Sequence, residues 1–128
     1  MTVRYLMDTC AWIELATDGP GMAHFAPYFQ DLAAIVVPTI VQFELYKWVC
    51  RERDEAMALE FIGLSEQGRV VPLDTSLALQ AADHAATYRL AMADAMVYAT
   101  AWAFRVPLVT CDAHFAALPG VEYFAPSG

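Results

Sequence analysis

Positive charge is scarce in this sequence. It holds 7 lysine and arginine residues against 15 aspartate and glutamate residues, which gives a formal net charge of −8 at pH 7. A protein that binds long nucleic acid without help usually presents a basic surface to the phosphates. The balance therefore argues against tight unaided binding to long nucleic acid, whereas it is compatible with a basic protein partner.

Cysteine is also sparse. Cys10, Cys50 and Cys111 are scattered along the chain, and they show neither the spacing of metal ligands nor an even disulfide framework. This pattern suits a reducing compartment. We expect all three to be small buried hydrophobic side chains.

Long hydrophobic runs and targeting signals are missing as well. The longest charge-free apolar stretches, such as residues 32–43, reach about half of the roughly 20 residues that a membrane-spanning helix needs. Residues 1–7 lead directly into an aspartate and lack the apolar core of a signal peptide. These absences predict a cytoplasmic protein.

Hydrophobic residues, by contrast, are abundant and make up 59% of the 128 residues. That is enough for one compact domain, predicted over residues 1–128, and it excludes disorder. Short apolar runs alternate with longer helical patterns, which predicts a parallel sheet with helices on both faces. The predicted strands are residues 3–7, 34–37, 69–72, 106–110 and 121–124, the last of them at an edge; the predicted helices lie near residues 22–31, 39–52, 54–66, 75–91 and 93–105.

Two aspartates directly follow predicted strands. Asp8 comes after the first strand and Asp112 after the fourth. The carboxyl ends of parallel strands meet at one edge of the sheet, where functional residues gather. Aspartate is also a favoured helix N-cap, worth roughly 0.5–2 kcal/mol. For either residue alone, the capping and functional interpretations are equally good.

A third acid, Glu44, lies early in the predicted helix that follows the second strand. In a helical projection it shares a stripe with Lys47 and Arg51, beside the apolar stripe of the helix. One interpretation is a surface ladder of ion pairs, worth a few tenths of a kcal/mol. The other is a carboxylate that binds metal beside two cations able to contact the phosphates of a substrate.

Asp94 stands in an almost wholly apolar, alanine-rich helical segment. We expect that segment to be buried, where an unpaired carboxylate is costly to desolvate. Capping of the helix is one explanation for an acid at this place. A bound cation is the other, and it offsets the desolvation directly.

Four converging carboxylates repel one another unless a cation lies between them. Hard oxygen ligands favour Mg²⁺ or Mn²⁺, as one or two ions, over zinc. Without the four candidate ligands, 11 acids face 7 bases, a net charge of −4. His24, His84 and His114 share no ligand spacing, and we expect them to be surface or core residues.

Four segments, in this order, resemble PIN-domain ribonucleases, and most closely the VapC toxins of bacterial toxin–antitoxin pairs. The resemblance covers essentially the whole chain. Its most specific segment is the one around Asp94. The segments are Met7-Asp-Thr-Cys-Ala-Trp-Ile-Glu14, Pro38-Thr-Ile-Val-Gln-Phe-Glu-Leu45, Ala93-Asp-Ala-Met-Val-Tyr-Ala-Thr-Ala101 and Leu108-Val-Thr-Cys-Asp-Ala-His-Phe115.

The resemblance implies a three-layer α/β/α sandwich with a mainly parallel sheet, and Mg²⁺- or Mn²⁺-dependent endonucleolytic cleavage of RNA by a metal-activated water. Asp8 and Asp94 would be the main ligands of the first cation. Glu44 and Asp112 would complete its coordination or help to admit a second ion. Thr9 and Thr110 fall where a hydroxyl commonly supports such a site; these six positions are the candidate site residues.

The same resemblance implies a homodimer and a cognate antitoxin whose basic tail reaches into the acidic site. The net charge of −8 fits that partner. Phe43, Tyr46 and Phe61 lie on the helical patterns of residues 39–66. They either pack within the domain or contribute to an antitoxin groove or dimer surface.

Two other functions remain open at this point. A phosphotransfer or phosphatase domain on a similar sheet would need paired acids near the first strand, but Cys10 stands where the second acid of an Asp-x-Asp motif would be. A catalytically silent PIN-like interaction module is the second alternative. All four acids are present, so the sequence shows no sign of such a loss.

Overall fold

Residues 2–126 are described by a computed structural model, and they form a single sheet covered by helices. The five strands run in the order β3-β2-β1-β4-β5, and every neighbouring pair is parallel. The fold is a three-layer α/β/α sandwich, as predicted. The predicted edge position of the last strand is also confirmed, because β5 pairs only with β4 within residues 2–126.

The strands are short and apolar. Their side chains are almost completely buried in β1, β2 and β4, as expected for a parallel sheet covered on both faces. The bounds are β1 Tyr5–Met7, β2 Ile35–Pro38, β3 Arg69–Val71, β4 Leu108–Thr110 and β5 Val121–Tyr123. All five strands were predicted, with ends that differ by one or two residues.

Six α-helices accompany the sheet, and most begin or end at recognisable signals. Asp54 and Asp74 cap α4 and α5 by accepting hydrogen bonds from main-chain N–H groups of the first turn. The helices are α1 Thr9–Thr17, α2 Met22–Phe25, α3 Thr39–Glu52, α4 Glu55–Ser65, α5 Thr75–Tyr88 and α6 Met92–Phe104. Three 3-10 turns occupy residues 26–30, 32–34 and 113–115.

Two helical predictions need correction. The predicted helix near residues 22–31 is a four-residue helix, α2, followed by a 3-10 turn with Pro27 near its start. Proline lacks the N–H that an α-helix would need there. Helix α1, over residues 9–17, was not among the predicted helices.

The core lies between the sheet and the helices. On α3, the side chains of Val41, Leu45 and Val49 are fully buried at the spacing of one helical face. Helices α5 and α6 meet through the small side chains of Ala81, Ala95 and Ala99. Such small residues allow the two helix axes to approach closely, and this fixes the start of α6 relative to the sheet.

Two of the three aromatic side chains follow the first of the interpretations that the sequence allowed, packing within the domain. Tyr46 and Phe61 are half-buried and pack against the core, whereas Phe43 is exposed, at 59%. The prediction that the three cysteines are buried was wrong in part, because all three are half-buried. None of the helices between residues 2 and 126 is both long and apolar enough to cross a lipid bilayer.

Candidate metal centre

The candidate site lies at the carboxyl edge of the sheet, beside β1 and β4. After β1 the chain builds the sheet outward through β2 and β3, and it then returns to place β4 on the other side of β1. Open parallel sheets bind their ligands outside the strand ends at such a reversal of strand order. Asp8 directly follows β1, and Asp112 lies two residues after β4.

Asp8 is the most buried acid of the site, with 6% of its surface exposed. One of its oxygens accepts a hydrogen bond from the main-chain N–H of Thr9 (2.9 Å), and so Asp8 caps α1. Its other oxygen accepts a hydrogen bond from the hydroxyl of Thr110 (2.7 Å). Capping and a position at the site therefore do not exclude each other for this residue.

The environment of Asp8 disfavours the negatively charged form of its carboxyl. The pKa of its carboxyl is raised to about 6, mainly by burial; the charges of Glu44 and Asp94 contribute to the rise, while the hydrogen bonds to its two oxygens act in the opposite direction. Because the surroundings of Asp8 disfavour its negative charge overall, a cation beside this carboxylate would stabilise it.

Two threonine hydroxyls connect the acids to one another. Thr110 donates to Asp8, and its oxygen accepts a hydrogen bond from the main-chain N–H of Asp112 (2.9 Å). Thr9 donates its hydroxyl proton to Oε1 of Glu44 (2.7 Å). These bonds link the ends of β1 and β4 with the first turn of α1 and the second turn of α3.

Asp94, Asp112 and His114 form the tightest group of potential ligands. One ligand atom from each lies within 4.8 Å of the others. The Nδ1 atom of His114 lies 3.4 Å from Oδ2 of Asp94 and 3.2 Å from Oδ1 of Asp112. Asp112 is held by the main-chain N–H of His114 (2.9 Å) at the start of a 3-10 turn.

Asp94 is not the cap of its helix. Ala91 occupies that position, and Asp94 lies in the first turn of α6, where a negative charge interacts favourably with the helix dipole. Its side chain is half-buried. Burial raises the pKa of its carboxyl, and the charge of Asp112 adds to this effect, while His114 lowers the pKa.

These residues suit a divalent cation. Within residues 2–126, His114 is the only basic side chain that lies within ion-pair distance of any of the four acids. The acids therefore carry negative charge that lysine and arginine do not compensate. Carboxylate oxygens are ordinary ligands of Mg²⁺ and Mn²⁺, whereas an imidazole nitrogen favours later transition metals.

The predicted site residues fall into two neighbouring groups. Asp94 and Asp112 belong to the three-residue cluster, whereas Asp8 and Glu44 lie outside it and are joined through Thr9. The charge of Asp94 acts on Asp8, so the two groups are electrostatically connected.

The two predicted phosphate-binding cations stand apart from the cluster. Lys47 lies over the ring of Phe43, 5.8 Å from its centre, and Arg51 forms an ion pair with Glu52 (3.0 Å). In the described part of the chain, neither makes an ion pair with Glu44. The surface ladder that the sequence allowed is therefore absent.

Sequence reasoning missed two features of the site. The first is His114, which was expected to be a surface or core residue but lies against two of the acids. The second is a cavity of about 220 Å³ beside Asp94 and His114, also lined by Tyr88 and Arg89. The only available signal was the short distance in sequence from His114 to Asp112, since the cavity depends on how α5 ends.

Two of the cysteines meet directly beside Asp8. The main-chain N–H of Cys111 donates to Sγ of Cys10 (3.1 Å), which also lies 3.5 Å from the hydroxyl oxygen of Thr110 and 3.9 Å from Oδ2 of Asp8. The contact between the two thiols raises the pKa of Cys10, with burial adding to the effect, and lowers that of Cys111. The spacing of the cysteines in the sequence gave no indication of this contact.

A larger cavity, of about 460 Å³, lies at the opposite edge of the sheet. It is lined by Pro107 and Gly120, which precede β4 and β5, and by Tyr98 and Trp102 of α6. It is apolar and contains no acid. The chemistry that the acids can perform is therefore not associated with this larger cavity.

Comparison with known proteins gives one family and several similar structures. The family model described as PIN domain matches residues 5–121. No curated protein sequence matches the chain significantly. A toxin–antitoxin complex from Klebsiella pneumoniae contains a chain that is 22% identical with a TM-score of 0.79, over 95% of this chain and 99% of that chain.

Two further structures have similar folds. VapC20 of Mycobacterium tuberculosis, a toxin that cleaves the sarcin–ricin loop, is 20% identical with a TM-score of 0.76, over 92% of this chain and 97% of that chain. A DNA-bound VapBC of Salmonella typhimurium contains a chain that is 16% identical with a TM-score of 0.76, over 97% of this chain and 98% of that chain. At these identities the likeness concerns the fold.

Proposed function

Because the chain belongs to the PIN-domain family, we propose that it is a divalent-cation-dependent endoribonuclease and the toxin of a toxin–antitoxin pair. The observation that carries the proposal is the group of acids at the carboxyl edge of the sheet. Asp94 and Asp112 lie together, and the buried Asp8 is close enough for the charge of Asp94 to raise its pKa. This negative charge has no lysine or arginine partner within residues 2–126.

Each side chain would have a distinct role at the cation site. Asp8 and Asp94 would be the main ligands of a first Mg²⁺ or Mn²⁺, and Asp112 and Glu44 would complete its coordination or admit a second ion. A bound divalent cation supplies a Lewis acid that activates water and neutralises the charge that develops on the phosphate. Thr110 and Thr9 orient Asp8 and Glu44 through short hydrogen bonds, as outer partners commonly do for metal ligands.

His114 adds a nitrogen donor to this oxygen-rich set. Its Nδ1 atom lies 3.4 Å from Oδ2 of Asp94 and 3.2 Å from Oδ1 of Asp112, so it is within reach of a cation held by these two acids. His114 would serve as a nitrogen ligand to a cation held by Asp94 and Asp112. Its side chain is 76% exposed.

The RNA substrate would be held by a few cations around the acids. Arg89 lines the cavity of about 220 Å³ beside Asp94, together with Tyr88. A guanidinium there can contact a phosphate, and an aromatic ring can stack on a base. Lys47 and Arg51 lie on α3, the helix that carries Glu44, and they would contact more distant phosphates.

The proposed partners are an antitoxin and a second copy of the chain. A toxin–antitoxin complex and a VapBC complex are among the proteins of similar fold. The net charge of −8 suits an antitoxin with a basic tail that lies over the acids. The homodimer is proposed from the family resemblance, and Phe43, which is exposed, is a candidate for either interface.

The experiment that tests the proposed function is cleavage of a total-RNA pool by the purified protein freed of any partner. We expect discrete fragments with Mg²⁺ or Mn²⁺, none with chelator, and none from Asp94→Asn. Asp74→Asn is the matched control, because Asp74 only caps α5. Cleavage that persists in Asp94→Asn would refute the role of this residue.

Binding of metal without cleavage would point to the second function. A folded protein that binds Mn²⁺ but cleaves no RNA in the pool would be the interaction module that the sequence left open. Calorimetry with Mn²⁺, run beside the cleavage assay, separates this outcome from a protein that has lost its cation site.

A further inference from the structure

Two thiols from distant parts of the sequence meet beside the acids. Cys10 lies in the first turn of α1, and Cys111 directly follows β4. The neighbouring strands β1 and β4 bring them together, since Met7 pairs with Val109. Both side chains are half-buried and so are accessible to a small oxidant.

The geometry is close to that of a disulfide. The main-chain nitrogen of Cys111 lies 3.1 Å from Sγ of Cys10. With an N–Cα bond of about 1.46 Å, this sulfur is no more than about 4.6 Å from Cα of Cys111. This distance is compatible with an S–S bond of ~2.05 Å formed by the side chain that extends from that Cα atom.

We propose that Cys10 and Cys111 form a reversible oxidation site, and that hydrogen peroxide converts them to a disulfide that closes the adjacent cation site. One sulfur attacks a peroxide oxygen, the O–O bond breaks, and a sulfenic acid and one water form. The second sulfur attacks the sulfenic sulfur, the S–O bond breaks, and the oxygen leaves as a second water with the thiol proton. The two thiols lose two electrons, and peroxide is reduced to two waters.

The disulfide affects the site because Cys10 lies beside the hydrogen bond that Thr110 donates to Asp8. Sγ of Cys10 lies 3.5 Å from the hydroxyl oxygen of Thr110 and 3.9 Å from Oδ2 of Asp8. Pulling the two sulfurs together shifts the segments that carry Asp8 and Asp112 relative to each other. Loss of an outer hydrogen-bond partner typically weakens metal binding roughly 10–100-fold. This second half of the proposal rests on the proposed cation site.

The test uses the full chain in reduced and peroxide-treated forms. Free thiols are blocked, the proteolytic peptides are mapped by mass spectrometry, and Mn²⁺ binding is measured by electron paramagnetic resonance after the peroxide is removed. We expect a Cys10–Cys111 linkage and Mn²⁺ binding weakened roughly 10–100-fold. Dithiothreitol should restore both the thiols and the Mn²⁺ affinity.

Two cysteine variants make the test specific. Cys50 lies on α3 in contact with Tyr46, so Cys50→Ser should form the linkage and lose Mn²⁺ affinity as the wild type does. Cys111→Ser should form no linkage and keep its Mn²⁺ affinity after treatment. Absence of the linkage in the wild type would overturn the oxidation site, and a linked protein that binds Mn²⁺ as tightly as the reduced one would overturn its effect.

If the proposed function is wrong, Mn²⁺ binding and peptide mapping give a different combination of results. If the reduced protein binds no Mn²⁺, the cation site and its closure are both refuted. Peptide mapping still decides between presence and absence of the oxidation site in that case, because it does not depend on metal or RNA.

Discussion

Replacing Asp8 by asparagine should stabilise the metal-free protein at neutral pH. The pKa of Asp8 rises from its ordinary value of 3.8 to about 6 in the folded protein. At 1.36 kcal/mol per pKa unit, keeping this carboxyl charged costs the folded state about 3 kcal/mol. Asparagine carries no charge, and its oxygen can still accept the hydrogen bond from the N–H of Thr9.

The sign of the pH dependence follows from proton binding. Between pH 3.8 and about 6 the folded protein holds more protons on Asp8 than the unfolded chain does. The contribution of Asp8 to the free energy of unfolding therefore falls as pH rises through this window, and it stays low above it. In Asp8→Asn this contribution is absent, so the difference in the free energy of unfolding between the variant and the wild type should grow from pH 4 to pH 7.

The assay is urea unfolding in the presence of chelator, at several pH values, followed by tryptophan fluorescence. We expect Asp8→Asn to exceed the wild type by up to about 3 kcal/mol at pH 7.5, less the cost of reversing one hydrogen bond, about 1 kcal/mol. At pH 4 the two proteins should be nearly equal. Asp74→Asn is the control, because asparagine caps a helix about as well as aspartate does.

Adding Mn²⁺ should reverse the order of stability at pH 7.5. A ligand at 100 times its dissociation constant stabilises a folded protein by about 2.7 kcal/mol, and only the wild type should gain this. A metal-free Asp8→Asn that is less stable than the wild type at pH 7.5 would refute the electrostatic reasoning. So would equal stabilisation of both proteins by Mn²⁺.

Three further predictions concern single side chains around the acids. His114→Gln should weaken Ni²⁺ binding about tenfold in calorimetry and change Mg²⁺ binding by less than about twofold, because imidazole favours later transition metals; equal losses for both ions would exclude His114 as a ligand. Arg89→Ala should raise the KM for RNA about three- to tenfold with kcat unchanged, as expected when a contact made equally in the ground state and the transition state is removed. Lys47→Ala should raise the KM less. A fall in kcat would contradict a role limited to binding. Thr110→Val should weaken Mn²⁺ binding roughly 10–100-fold by removing the hydrogen bond to Asp8. Thr110→Ser, which keeps the hydroxyl, should bind Mn²⁺ as the wild type does. Unchanged affinity in the valine variant would show that the bond does not orient the carboxylate.

The layered fold was predictable because hydrophobic periodicity is a local signal. All five strands and five of the six helices lie close to their predicted positions. Helix α1 was missed because its buried residues, Ala11, Trp12 and Ala16, give only a short apolar stripe before the chain breaks at Gly19. The break at Pro27, which ends the helical pattern of α2, is a backbone effect that outweighs the side-chain pattern.

The four acids of the candidate site were predictable from local signals. Asp8 and Asp112 follow strand ends, a rule that requires no knowledge of strand order. Glu44 stands early in the helix after the second strand, and Asp94 interrupts an apolar helical segment. His114 was missed because one of its neighbours, Asp94, comes from a helix twenty residues earlier in the chain. The contact between Cys10 and Cys111 depends on the pairing of β1 with β4, and no short sequence pattern specifies such a long-range pairing.

The most direct test of the central claim compares two curves measured on one sample. The first is the Mn²⁺ dependence of RNA cleavage, and the second is the Mn²⁺ binding isotherm from electron paramagnetic resonance. We expect the same half-saturation in both curves for the wild type, a parallel shift in Thr110→Val, and neither binding nor cleavage in Asp94→Asn. Cleavage that saturates independently of Mn²⁺ binding, or that persists in chelator, would contradict the proposed cation-dependent nuclease.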